Sequence, residues 1–239
     1  MYDGIHTSFH RGETASQNFA ISPVTLTQII AICLLPLVIF ALAMLYPIAL
    51  LCQGAPFLHR SERMKSCESG FYLLKIRTMS ETSGPDRVLG GDQSSRVTKL
   101  GKFLRLSRLD ELPQIFNVIR GDMVFFGPRP PLRRYVEAYP ILYAQVLAQK
   151  PGVTGLATIV LNGWEGRVLA KSMDPTQTTE IYERRCVPRK AALDLLHQRK
   201  GCIALNVLIL VETVLHMLHF TKPRKVRRLR KLFNSSAQR

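Results

Sequence analysis

The chain has 239 residues, enough for one sizeable core with an appendage. It joins 46% hydrophobic residues and a net charge of +16 to a mean hydropathy of +0.05. That pairing points to an anionic membrane surface and to phosphorylated ligands. It points away from nucleic acid, because no aromatic residues interleave with the basic ones as a base-stacking platform.

Residues 1–20 are a polar N-terminal segment with Arg11 as its only Lys or Arg. No charged region leads into the apolar run that follows, so no cleaved signal peptide is expected. Residues 21–54 read as a membrane segment. Ile21 to Cys52 carries no charge, and Ile29 to Leu51 is wholly apolar. As a straight helix the latter reaches about 34 Å at about 1.5 Å per residue, and a hydrocarbon core is about 30 Å thick. Pro36 and Pro47 lie inside the run, and each removes a backbone donor. A sharp break at Pro36 returns the chain to the face it entered. Periodicity does not separate such a re-entrant hairpin from a kinked span. Arg60, Arg63 and Lys65 place the next domain on the cytoplasmic side.

Residues 55–220 are expected to form the main domain. Lys75-Ile-Arg77-Thr-Met79 closes an extended stretch with two cations on one side. Ser80 to Ser95 is rich in glycine and reads as a surface loop. Arg96 to Leu106 sets Lys99, Lys102 and Arg105 three apart, as in an amphipathic helix. Such a helix suits a membrane interface and a solvated face equally.

Ser107 to Gly121 reads as one helix, with Ser107 as N-cap, Pro113 in the first turn and Gly121 at the end. Asp110 and Glu111 then sit where a helix dipole stabilises negative charge. Capping alone accounts for acids there as well as chemistry does. Asp122 to Phe126 reads as a strand. In the Gly127-Pro-Arg-Pro130 turn, two prolines fix the backbone around Arg129, whose guanidinium suits phosphate. Leu132 to Lys150 is expected as a helix, Pro151 to Gly155 as a turn, and 156–175 as irregular structure. Residues 176–200 read as a charged helix, and Cys202 to Phe220 as a buried or membrane-facing one. The tail, 221–239, is basic without an acid and suits anionic lipid. The five cysteines include no Cys-x-x-Cys, which speaks against a disulfide framework and a zinc site. No Walker A motif or Gly-x-Gly-x-x-Gly turn is present.

Taken together, Arg63, Phe71, Lys75 to Met79, Arg96 to Arg105, Leu109 to Pro130 and Pro151 to Gly155 resemble the bacterial sugar transferases known as small monotopic phosphoglycosyl transferases. The likeness covers roughly residues 25–160 and resumes more weakly near Leu193-Asp194. It implies a membrane-associated, mainly helical α/β protein, with a re-entrant N-terminal helix whose break is favoured at Pro36, with Pro47 the alternative, and a small catalytic domain on the cytoplasmic face of the bacterial inner membrane. The implied reaction moves a sugar-1-phosphate from a nucleotide diphosphate sugar to polyprenyl phosphate, with Mg²⁺, at the start of a glycoconjugate such as exopolysaccharide or lipopolysaccharide. By resemblance Asp110 is the nucleophile and forms a covalent phospho-sugar, and Glu111 assists with proton and metal handling. Arg129 binds phosphate, and Arg105 matches another arginine near the site. Lys75 and Arg77 join the substrate-binding set, and Asp194 matches an aspartate of the family.

The chain also departs from the family. Lys65 replaces a glycine, Leu156 to Asn162 replaces a Trp-Ala-Gln pattern, and Asn206 stands where an aspartate is common. These departures bear on which sugar is recognised more than on the reaction. A different reading of the same basic, anchored chain is a non-catalytic membrane scaffold.

Overall fold

The computed structural model describes residues 23–80, 96–169 and 174–218. The polar N-terminal segment, most of the loop after Ser80 and the basic tail, with His219, lie outside the described residues.

Helix α1, Pro23–Gln53, runs continuously through Pro36 and Pro47. The expected break at Pro36 is therefore not an interruption of the helix. The reason lies in its packing. Gln28, Ala31, Leu35, Val38 and Leu42 recur at alternating steps of three and four, which forms a narrow seam. Four of them pack with Ile115, Val118, Met123, Phe71 and Leu73 in the main core, and the Gln28 amide donates to Ile119 O at 2.9 Å. The seam continues on both sides of Pro36, while both prolines face outward. The outer face exposes Leu37 and Phe40 by about two thirds each (66% and 64%).

Strands β1, Leu58–Met64, and β2, Gly70–Ile76, form an antiparallel hairpin with Arg63 opposite Phe71. Helix α2, Lys99–Leu106, starts at Thr98, whose hydroxyl accepts from Gly101 N. It buries Leu104 and exposes Phe103, Leu106 and its three cations.

The next segment departs from the single helix expected over 107–121. The Ser107 hydroxyl donates back to the carbonyls of Phe103 and Leu104, so it closes α2 rather than opening a helix. Arg108 then adopts a left-handed backbone, φ 54°. Leu109–Glu111 is one 3-10 turn, and helix α3 spans only Gln114–Ile119. Pro113 has no N–H to continue a ladder across this junction. Gly121, φ 78°, does end α3 as expected.

Asn117 is fully buried on α3. Its side chain accepts from Leu74 N at 3.1 Å and donates to Tyr72 O at 2.8 Å, which fastens α3 to the free edge of β2.

Strand β3, Val124–Phe126, pairs in parallel with β4, Gly152–Thr154. The segment expected as a turn at 151–155 is thus largely a strand. Three glycines allow a close crossing here. A Cβ on Gly127 would meet Lys150 O at 2.6 Å, and one on Gly152 or Gly155 would overlap the Gly127 backbone. Gly152 N also donates to Pro128 O at 2.8 Å. The Gly-Pro-Arg-Pro and Pro-Gly-Val-Thr-Gly motifs are therefore two halves of one interlock.

The single helix expected over 132–150 is two, α4, Arg133–Ala138, and α5, Pro140–Val146, because Pro140 starts a new helix after Tyr139. The stretch expected to be irregular folds as α6, Leu156–Val160, and α7, Trp164–Leu169. Helix α8, Pro175–Ile181, leads through a π-helical segment, Tyr182–Cys186, into α9, Val187–Lys200. Helix α10, Ile203–Leu218, packs Leu205 and Ile209 on α6 and α9 and exposes Ile203, Val207 and Leu210. Among the described residues the fold is mainly helical, with two two-stranded sheets.

Candidate active site

The 3-10 turn after Arg108 presents Asp110 and Glu111 to β2 and to the Pro-Arg-Pro turn. The two acids meet different surroundings. Glu111 accepts from Lys75 Nζ at 3.2 Å, Arg108 Nη1 at 3.1 Å and Arg129 Nη2 at 3.2 Å. Burial pushes its pKa up, but Arg129, Lys75 and Arg108 outweigh that and hold it down at about 2. Asp110 is 7% exposed. Among the described residues no hydrogen bond or ion pair ends on its carboxylate. Burial raises its pKa above the usual carboxylate value, Lys75, Arg105 and Arg129 oppose the rise, and Glu111 adds to it.

Each cation is held by a different element. Lys75 comes from the end of β2, and burial, together with Arg129, pushes its pKa down to about 8. Arg105 sits on the last turn of α2 and donates through Nε to Thr78 Oγ1 at 2.8 Å, which leaves its charge near Asp110. Arg129 is aimed by the interlock of Gly127 with β4. Its side chain keeps 41% exposure, so it faces an open space as well as Glu111.

Arg77 is elsewhere. It donates to the carbonyls of Gln53 and Gly54, the latter at 2.6 Å, and so caps the C-terminal end of α1. The sequence pattern put Lys75 and Arg77 on one side of a strand. The strand ends at Ile76, which frees Arg77 to turn away.

A cleft of about 690 Å³ opens beside the dyad, with Arg108 and Arg129 on one wall. Its other walls include Arg63, Tyr135, Tyr182 and Asp194. The sequence reading named Asp194 and missed Arg108 and the tyrosines as site residues. The Arg108 pair with Glu111 at i, i+3 was a usable signal. Nothing in the local pattern signals Tyr182, which follows α8, far along the chain from the dyad.

An unpaired buried carboxylate beside a neutralised one, ringed by Lys75, Arg105 and Arg129 and opening on a cleft, suits attack on a phosphate anhydride. A model of one family, described as bacterial sugar transferase, matches residues 20–220. The chain belongs to the bacterial sugar transferase family.

Relatives of this sugar transferase include proteins named UDP-glucose:undecaprenyl-phosphate glucose-1-phosphate transferase. One from Klebsiella pneumoniae is 40% identical over 59% of this chain and 28% of its own length. One from Caulobacter vibrioides is 36% identical over 66% of this chain and 57% of its own length. A protein from Aeromonas hydrophila, named UDP-N-acetylgalactosamine-undecaprenyl-phosphate N-acetylgalactosaminephosphotransferase, is 36% identical over 56% of this chain and 32% of its own length. The chain thus matches between about a quarter and three fifths of these relatives.

Proposed function

We propose that this chain is a phosphoglycosyl transferase that moves a sugar-1-phosphate from a UDP-sugar to undecaprenyl phosphate through a covalent intermediate on Asp110. The observation that carries the reading is the asymmetry of the dyad: three cations occupy Glu111 and none occupies Asp110. The names of the relatives supply the substrate classes.

In the first displacement a carboxylate oxygen of Asp110 bonds to the phosphorus that carries the sugar. The bond from that phosphorus to the bridging oxygen breaks, and UMP leaves with that oxygen. In the second, an oxygen of undecaprenyl phosphate attacks the same phosphorus and releases Asp110, giving the lipid diphosphate sugar. Two easier steps replace one, and the soluble and the lipid substrate use one site in turn. Arg129 and Lys75 offset the repulsion between a carboxylate and a diphosphate, and they stabilise charge on the departing phosphate. Glu111 holds those two cations in place.

The donor set fits Mg²⁺, which takes one or two carboxylates plus substrate phosphates rather than an all-protein cage. Among the described residues no group of three or more His, Cys, Asp or Glu forms such a cage, and Asp110 and Glu111 are the adjacent carboxylates. When bound, Mg²⁺ would neutralise charge on the diphosphate.

The proposed membrane arrangement rests on α1. Gln28, near one end, reaches Ile119, and Gln53, at the other, is held by Arg77. Both ends resting on the same globular body supports entry into one face of the membrane without crossing it. On this reading, with Arg60, Arg63 and Lys65 following the helix, the domain would lie at the cytoplasmic face of the bacterial inner membrane, with the exposed Lys99 and Lys102 of α2 toward anionic lipid. There the enzyme would begin a membrane-bound glycan such as exopolysaccharide or lipopolysaccharide.

The test is radiolabelled transfer to undecaprenyl phosphate from a panel of UDP-sugars, with Mg²⁺ and with EDTA. Transfer from at least one donor, lost in EDTA, is expected. No transfer from any donor by the wild type would favour a scaffold instead.

A further inference from the structure

The cleft beside the dyad contains two groups that the reaction as described does not use. The first is Arg63, on β1. It lies near Arg129 and Arg134, and burial, reinforced by Arg129, pushes its pKa down to about 10. Its Nε is buried without a hydrogen-bond partner, and among the described residues no carboxylate pairs with it. Arg108 and Arg129, which also line the cleft, are already paired with Glu111. A half-buried guanidinium with no counter-charge and an unpartnered Nε is well placed to take an anionic ligand.

The second is Asp194, on α9. It is 5% exposed, it lines the cleft, and its Oδ1 is buried without a partner. Tyr135 and Tyr182 also line the cleft; their rings stack with centroids 5.0 Å apart, with Arg134 over Tyr135 and Lys190 over Tyr182. The cleft therefore offers an unpaired cation, an aromatic wall and an unpaired acceptor. At about 690 Å³ it is larger than a monosaccharide requires and of the size that holds a nucleotide-sized ligand.

We propose that this cleft binds the nucleotide half of the donor, with Arg63 on the phosphate that leaves as UMP and Asp194 accepting hydrogen bonds from the nucleoside. This rests on the UDP-sugar reading above. A phosphate flanked by Arg63 and Arg129 bridges the cleft and the dyad, so the leaving group lies where Arg129 reaches it. Tyr182, which lines the cleft and is held by Tyr135 and Lys190, adds apolar ring surface beside the nucleoside. Arg63 and Asp194 are then binding and positioning residues for the leaving nucleotide, and they take no part in holding the lipid phosphate.

The experiment uses the full chain in detergent or lipid and measures UMP binding, the KM for the UDP-sugar and the KM for undecaprenyl phosphate. It compares the wild type with Arg63→Gln, Arg63→Lys and Asp194→Asn. A charge-assisted contact predicts about tenfold or more weaker UMP binding in Arg63→Gln. The KM for the UDP-sugar should rise in parallel, the KM for undecaprenyl phosphate should stay within about twofold, and Arg63→Lys should recover part of the loss. Asp194→Asn should weaken UMP as well, and it carries the test if circular dichroism shows that Arg63→Gln does not fold. UMP binding unchanged in both would overturn the proposal, and so would an effect confined to undecaprenyl phosphate. If the wild type transfers sugar phosphate while the variants bind UMP normally, this inference fails and the proposed reaction stands. If the wild type binds UMP through these residues yet transfers nothing, the reverse holds.

Discussion

Arg129 Nη2 donates to Glu111 Oε1 at 3.2 Å, and this contact ties the Pro-Arg-Pro turn to the acidic dyad. It joins two motifs eighteen residues apart and fixes the guanidinium between the dyad and the cleft. Lysine at 129 keeps the charge and loses the planar fork. Arg129→Lys should therefore lower turnover by about 10- to 100-fold, within the range seen when one stabilising donor is removed. Its melting temperature should change little, since the side chain is 41% exposed. Steady-state kinetics and a thermal melt on the same preparation check both.

The pH profile should have two limbs with known signs. In the proposed reaction Asp110 must be ionised to attack, and burial raises its pKa, so activity should fall on the acid side at a pH above the ordinary aspartate value of 3.8. Lys75 must be charged, and its pKa is lowered to about 8. Its charge is lost as pH rises through that value, and activity falls with it. Lys75→Arg should keep the positive charge at higher pH and move the alkaline limb upward. The dependence of kcat/KM on pH for the two proteins decides this.

Asp194 should trade stability for function. Its folded-state pKa is raised from 3.8 to about 7 by burial, with Lys190 opposing the rise. A raised carboxylate is easier to ionise in the unfolded chain. Its destabilising effect is therefore absent below pH 3.8, grows as pH rises, and is complete above about 7. Asp194→Asn should raise the melting temperature at pH 8, by about 2–4 °C for each kcal/mol relieved, and have little effect near pH 4. Calorimetry at the two pH values checks the sign.

How much of this was legible in the sequence depends on the element. The dyad, Lys75, Arg129 and the apolar helix stand out because each rests on a local pattern: adjacent acids, a rigid turn, an uncharged run. The split of 107–121 was hidden by a regular spacing of Leu109, Leu112, Ile115 and Phe116, which continues across Pro113 even though the 3-10 turn gives way there to a separate helix. The strand at 152–154 was hidden because its glycines look like turn residues, whereas they permit the close approach of Gly127. Arg77 looked like a site cation, yet it serves the end of α1. The cleft was illegible because its walls are assembled from distant segments, with Arg63 on β1 and Tyr182 after α8.

The seam on α1 makes this apolar helix part of the core. Ala31 is fully buried against the domain, whereas Ile32 is 54% exposed on the outer face. Ala31→Leu should overpack the seam and cost about 1–3 kcal/mol. Ile32→Leu should be nearly neutral. In a chain freed of its native cysteines, single cysteines at Ser22 and Gly54 should react with an impermeant reagent from the same side of a sealed vesicle. Labelling from opposite sides would show that the helix crosses.

The most direct test of the central claim is intact-protein mass spectrometry of the purified chain after incubation with an accepted UDP-sugar and Mg²⁺, without undecaprenyl phosphate. The account predicts release of UMP and a sugar-phosphate adduct on the peptide carrying Asp110, with both abolished in Asp110→Asn. It also predicts that added undecaprenyl phosphate discharges the adduct. UMP release that requires undecaprenyl phosphate and leaves no adduct, or full transfer by Asp110→Asn, would contradict it.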